Sequence, residues 1–194
     1  MDMTAEQFSQ ITNSFQTLKE RSPFYARKFE GIDLRDVKTQ QDFQKLPFTD
    51  KADLREAYPY GLLCRPLSEC VRVHSTSGTT GKRVIAFYTR HDVDAWEDCC
   101  ARALAAAGGT RDDVVQVSYG YGLFTGGFGL HYGCEAVGAS VIPISSGNTR
   151  RQLQIMRDFK STALVCTPSY SLILADAMRD MGMDNGYTRA YIRH

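Results

Sequence analysis

Residues 114–181 alternate short apolar runs with longer stretches of helical period, and few folds tolerate that order. Runs at 114–117, 140–144 and 163–166 read as buried strands. Between them, 124–137 reads as a glycine-interrupted helix. Asn148 or Thr149 opens a second helix reaching Phe159, and Pro168 opens a third reaching about Met181. Strands separated by helices at this spacing cannot pair as hairpins, so they predict parallel neighbours joined by right-handed crossovers. The expected class is α/β, a mostly parallel sheet with flanking helices.

Upstream the pattern differs. Phe8, Ile11, Phe15 and Leu18 recur at helical spacing, then Ser22-Pro23 supplies a cap and a first-turn proline. Phe24, Tyr25 and Phe29 point inward from the short helix that follows. Pro47 closes the next segment, Thr49 or Asp50 caps another, and Pro59 with Gly61 ends it. Residues 1–70 are therefore expected to form an arm of short helices, preceding an α/β region at 71–183 and an atypical tail at 184–194. Strand candidates at 71–74 and 84–88 open that region, followed by a helix at 92–107 that Gly108-Gly109 stops.

Lys and Arg number 23 against 22 Asp and Glu, a formal charge of +1, so no global field recruits nucleic acid. No run approaches the roughly 20 apolar residues of a membrane span, and the opening residues lack the pattern of a signal peptide. The six cysteines show no pairing scheme, which predicts free thiols and a cytoplasmic setting. Cys64, Cys70 and His74 match no common zinc spacing, and no metal site is expected.

The chemistry concentrates in Ser75-Thr76-Ser77-Gly78-Thr79-Thr80-Gly81-Lys82, which sets five hydroxyls in six residues between two strand candidates. Glycines let such a backbone curl, so that N–H groups and hydroxyls face an anion, and Lys82 adds a mobile charge. The spacing is not that of the common P-loop, because Gly78 and Gly81 lie too close and Arg83 follows the lysine. Composition alone also fits a surface linker. Further on, Tyr119, Tyr121, Phe124, Phe128 and Tyr132 are interleaved with glycines, as either a ligand slot or a helix packed closely on its sheet. Phe128 and Tyr132, four apart, fit the packing reading. His131 and Trp96 read as structural. Cys166 and Ser169, at a strand end, lack a paired base for nucleophilic work.

The loop, flanked by Val73-His74 and Tyr88-Thr89, resembles the phosphate-binding signature of acyl-adenylate-forming enzymes. More narrowly, the chain is similar to phenylacetate–coenzyme A ligases over residues 5–183. Ser22-Pro23-Phe24-Tyr25, Leu46-Pro47-Phe48-Thr49 with Lys51, Asp53 and Leu54, and Tyr119-Gly120-Tyr121-Gly122-Leu123-Phe124-Thr125-Gly126-Gly127 carry that likeness, with Gly147-Asn148-Thr149, Arg151-Gln152-Leu153 and Cys166-Thr167-Pro168-Ser169-Tyr170. The resemblance implies a partial adenylating-enzyme large domain and a reaction in two steps. A carboxylate attacks the α-phosphorus of ATP to give acyl-adenylate and pyrophosphate; coenzyme A thiolate then takes the acyl group and releases AMP. It implies that residues 75–82 hold the β- and γ-phosphates with Mg²⁺, and that Tyr121, Phe124 and Gly126 touch a phenylacetate-like acyl group. The family's adenine-binding segments and catalytic lysine have no counterpart here, so no complete catalytic set is expected, and the chain is expected to be an N-terminal fragment inactive by itself. A non-catalytic nucleotide- or anion-binding module and a self-associating structural fragment, for instance a homo-oligomer, are the competing readings.

Overall fold

In the computed structural model, residues 4–78 and 81–183 are described. Contacts gather the chain into two compact units, Met1–Arg90 and His91–His194. The expected tail at 184–194 lies outside the described residues.

The first unit is built from short, individually capped helices. α1 (Ala5–Arg21) begins with a capping box in which Thr4 and Gln7 satisfy each other's backbone N–H groups. Phe8 and Phe15 on its apolar face meet a core of Phe29, Leu34 and Val37. The rings interlock: Phe15 stands edge-on to Phe29 at 5.5 Å, and Tyr25 stacks on Phe29 at 5.5 Å. Ser22 is buried because its hydroxyl does two jobs. It accepts from the Tyr25 N–H to cap α2 (Pro23–Lys28) and donates to the Gly61 carbonyl at 2.8 Å. α3 (Gln40–Phe43) is capped by Thr39 and α4 (Lys51–Glu56) by Asp50. Asp53 of α4 also pairs with Lys28 of α2.

The strands of this unit, β1 (Cys70–Ser75) and β2 (Ile85–Thr89), form an antiparallel hairpin in which Val73 faces Phe87 and Ser75 faces Ile85. The hydroxyl-rich loop therefore joins two strands, as the sequence pattern suggests, and the pair forms a two-stranded sheet of its own. The sequence pattern changes at residue 71, which groups the hairpin with the alternating region. Contacts group it with the arm, because an antiparallel pair completes its ladder through a short loop and needs no crossover.

The second unit follows the alternation closely. α5 (Arg90–Ala106) leads into β3 (Val114–Val117), α6 (Gly126–Val137), β4 (Ser140–Ile142), α7 (Thr149–Asp158), β5 (Ala163–Val165) and α8 (Pro168–Asp180). The three strands are parallel in the order β4-β3-β5, so β3 is central. One crossover steps from β3 to β4 and the next returns across β3 to β5. Two right-handed crossovers in opposite directions place their helices on opposite faces. The side chains of β3 agree, alternating with period two. Val115 and Val117 are buried with Cys134 of α6, while Gln116 and Ser118 turn to Gln152 of α7.

The α6 face is closed by small residues. A Cβ at Gly129 would lie 2.4 Å from the Trp96 ring of α5, and one at Gly133 would lie 2.6 Å from Cys100 Cβ. These glycines admit neighbouring atoms where a methyl group would collide. The α7 face is closed by a buried polar network. Gln152 Oε1 accepts from Gln116 Nε2 (2.8 Å) and Ser118 Oγ (2.8 Å), and its Nε2 donates to the Ser145 carbonyl (2.7 Å). Ser161 Oγ donates to Gln116 Oε1 at 3.2 Å, which completes the central amide.

Two substitutions separate these faces. Gln152→Ala strands two buried donors and is expected to lower stability by on the order of 3 kcal/mol in urea denaturation. Gly129→Ala overpacks the Trp96 contact and is expected to cost about 1–3 kcal/mol. Wild-type-like midpoints would show that neither face is rigidly specified.

Candidate functional site

The hydroxyl-rich loop continues the hairpin ladder before leaving it. Thr76 exchanges two bonds with Val84: its N–H donates to the Val84 carbonyl at 3.1 Å, and its Oγ1 accepts from the Val84 N–H at 3.1 Å. Beyond that pair the chain turns through Gly78, with φ at +70°, and the Gly81 N–H returns to the Gly78 carbonyl at 3.1 Å. Ser75 is buried at the strand end, while Thr76, Ser77, Gly81 and Lys82 are exposed. Thr79 and Thr80 lie outside the described residues.

Arg83 adds what the sequence reading passed over. Its Nη1 donates to Ser75 Oγ and to the Thr76 carbonyl, each at 3.3 Å, so it ties the loop's exit to its entry. A Cβ at Gly78 would lie 2.6 Å from Arg83 Cγ, which reserves that position for glycine. The signal was the Lys82-Arg83 pair at the loop's end. Two cations at a turn lined with hydroxyls and N–H groups form a surface suited to an oxyanion.

In the second unit, a cleft of about 520 Å³ opens at the carboxyl ends of the parallel strands. That is where the loops of an open parallel sheet diverge and leave room for a ligand. Ser118, Tyr119 and Tyr121 come from the end of β3, Ser146 and Gly147 from the β4–α7 loop, and Thr167, Ser169 and Tyr170 from the end of β5. Gly120, Leu123, Phe124 and Ile173 complete the lining, and Phe124 is 60% exposed. The Gln152 network fixes two of these walls to each other, because Ser118 and the Gly147 carbonyl both bond to the same amide.

The predicted acyl-contact residues take different places. Tyr121 and Phe124 line the cleft. Gly126 lies at the start of α6, where a Cβ would stand 3.4 Å from the Tyr119 ring, so it seats a wall rather than forming one. Phe128 and Tyr132 stay out of the lining, their rings near parallel at 6.4 Å. His131 bonds to Tyr121 and Glu135. Thr167 and Ser169 line the cleft from the strand end that the sequence marks, while Ser146 of the β4–α7 loop escaped the sequence reading, although its position after a strand was a usable signal. Burial pushes the Cys166 thiol up from its ordinary value, which disfavours the nucleophilic thiolate. Among the described residues, no three His, Cys, Asp or Glu side chains converge as a metal-binding group. No described helix is long and apolar enough to cross a membrane.

No family model matches the chain. It is 43% identical over 185 residues to phenylacetate–coenzyme A ligase of Aromatoleum evansii, covering 94% of this chain and 42% of that protein. The Pseudomonas putida phenylacetate–coenzyme A ligase is 45% identical over 180 residues, covering 92% of this chain and 41% of the relative. Among solved structures, 2-hydroxyisobutyryl-CoA ligase in an open conformation with 2-HIB-AMP and CoA aligns with a TM-score of 0.81 at 29% identity. That alignment covers 93% of this chain and 42% of the solved one. The same ligase in its thioesterification state aligns with a TM-score of 0.81 at 32% identity, over 93% of this chain and 41% of that one. The chain thus spans about two fifths of the length of the relatives it matches, and over that N-terminal portion it belongs to the phenylacetate–coenzyme A ligase family.

Proposed function

We propose that residues 71–183 carry the phosphate grip and part of the acyl pocket of an ATP-dependent ligase that joins an arylacetic acid to coenzyme A. The observation that carries the acyl half is the cleft at the strand ends, walled by Tyr119, Tyr121, Phe124 and Tyr170. Aromatic walls suit a flat apolar ring, and the surrounding hydroxyls suit the polar end of an acid. Identity of 43–45% to phenylacetate–coenzyme A ligases narrows the acid to one resembling phenylacetate.

The nucleotide half rests on the loop. Ser75, Thr76, Ser77, Gly78, Thr79, Thr80, Gly81 and Lys82 would take the β- and γ-phosphates, with N–H groups and hydroxyls meeting oxygens and Lys82 meeting charge. In adenylation the carboxylate oxygen bonds to the α-phosphorus and the bond to the pyrophosphate oxygen breaks. Cations beside the departing oxygens therefore lower the barrier. Magnesium enters this proposal bound to the nucleotide's phosphates. Transfer to coenzyme A belongs to the whole protein, and so does turnover. We assign the chain to the cytoplasm on the same reading.

A second reading is favoured by Leu172 and Ile173 of α8, which are 69% and 53% exposed. Adjacent apolar side chains of this kind support self-association as a homo-oligomer. Sedimentation velocity distinguishes it: an oligomer indifferent to nucleotide and acid would favour assembly over ligand binding.

For the ligand reading, the purified chain is expected to bind pyrophosphate and ATP with Mg²⁺ in calorimetry. Lys82→Ala is expected to weaken pyrophosphate about tenfold, the scale of one lost charge-assisted bond, and more at low salt. Phe124→Ala is expected to weaken phenylacetate by about fivefold to tenfold while leaving pyrophosphate unchanged. Equal losses for both ligands in both variants would point to general unfolding and against two separate subsites.

A further inference from the structure

Tyr121 lines the cleft, but its hydroxyl is engaged behind the wall. The oxygen lies 3.2 Å from His131 Nδ1 on α6, and His131 Nε2 lies 3.2 Å from Glu135 Oε1 one turn further along. Neither His131 nor Glu135 is among the lining residues. The direction of this chain follows from elementary bonding. An ionised carboxylate only accepts, so a neutral His131 carries its proton on Nε2 and offers the Nδ1 lone pair to the Tyr121 O–H. Burial first, then Cys134, Glu135 and Tyr132, pushes the Tyr121 hydroxyl up to about 12, so it stays protonated as the donor through neutral pH. The ring is held as well as the hydroxyl. Phe128 stands edge-on to it at 5.3 Å, and a Cβ at Gly127 would lie 3.4 Å from its Cδ1.

The geometry points to His131 and Glu135 as positioning residues that set the acyl selectivity of the cleft, by drawing the Tyr121 hydroxyl out of it and leaving the ring to the ligand. This rests on the acyl-cleft reading above. A tyrosine with an unengaged O–H would swing that donor toward a polar ligand and would present a less fixed edge to a flat one. With its hydroxyl committed to His131, Tyr121 offers the cleft carbon and no competing donor, so an aryl group gains over a hydroxylated alkyl group. The direction matters because a buried donor left unpaired by an apolar ligand is penalised.

The test uses the 194-residue chain and two acids, phenylacetate and 2-hydroxyisobutyrate, with dissociation constants from calorimetry. His131→Ala is expected to lower the preference for phenylacetate about tenfold, chiefly by weakening that acid. Glu135→Gln, at an exposed position that leaves the core intact, is expected to shift the preference in the same direction by less. The deciding variant is the double substitution Tyr121→Phe with His131→Ala. With no hydroxyl left to sequester, it is expected to recover most of the lost preference, which a merely structural histidine would not allow. Nitrogen-15 NMR is expected to show His131 protonated at Nε2, with the Nδ1 resonance moving in Tyr121→Phe. Unchanged preference in His131→Ala, no recovery in the double variant, or a proton on Nδ1 would each overturn the inference. A wild-type chain that binds neither acid would overturn the acyl-cleft reading and the selectivity claim with it. In that event the tautomer in the same sample still decides the hydrogen-bonded chain on its own.

Discussion

The second unit depends on one buried amide. Gln152 is 1% exposed, and a side chain with two donors and a carbonyl survives such burial only when each end is met. Its oxygen takes the Gln116 amide and the Ser118 hydroxyl, both from the central strand, and its nitrogen reaches the Ser145 and Gly147 carbonyls. A hydrophobic contact would leave α7 free to slide along the sheet. These bonds are directional, so they set the position of α7 and of the loop before it together. That loop and the end of β3 are two walls of the cleft, and the spacing between those two depends on this amide.

The two faces of β3 divide the labour. On the α6 side, Val115 and Val117 supply ordinary apolar burial, and glycines in α6 accept the Trp96 ring and Cys100. On the α7 side, polar groups trade some burial energy for register. Packing thus holds the layers together while the amide network holds the rim of the cleft. Asn148 serves the same end. It adopts a left-handed conformation at φ +46° and still caps α7 through the Arg151 N–H, so the rim loop can turn sharply into a helix.

What was legible in the sequence was what is locally determined. The caps at Ser22, Asp50 and Asn148 act within three residues of themselves, and each proved to sit where its side-chain chemistry requires. The three parallel strands were legible because their apolar runs are bounded by turn residues and separated by helical stretches. The separate hairpin was not, because which strands pair is a non-local fact and a 71–74 run looks the same in either sheet. Gln152 belonged to the family likeness, but its structural role was hidden for another reason: within a helix bearing three arginines, a glutamine reads as solvated surface. Its role appears only once β3 is known to present Gln116 and Ser118 to it. Arg83 was visible as a charge but not as a tie, since a bond back to Ser75 requires the loop to have closed.

The distribution of charge carries the argument one step further. The cleft lining contains tyrosines, phenylalanine, aliphatic side chains and hydroxyls, but no aspartate, glutamate, lysine, arginine or histidine. Such a surface cannot neutralise an ionised carboxylate, and burying that charge unpaired would be costly. It can receive the uncharged body of an acid and hydrogen-bond its polar end. The loop has the opposite character, with exposed hydroxyls beside Lys82 and Arg83 and no apolar wall of its own. On the function proposed above, one surface would take the part of a substrate that does not react, and the other the charge that leaves. Enzymes that activate acids need both kinds, because binding energy gathered on an inert ring can be spent at the reacting centre only if the departing anion is met separately. The separation of the two chemistries along the chain is what a ligase of this type would require of its residues.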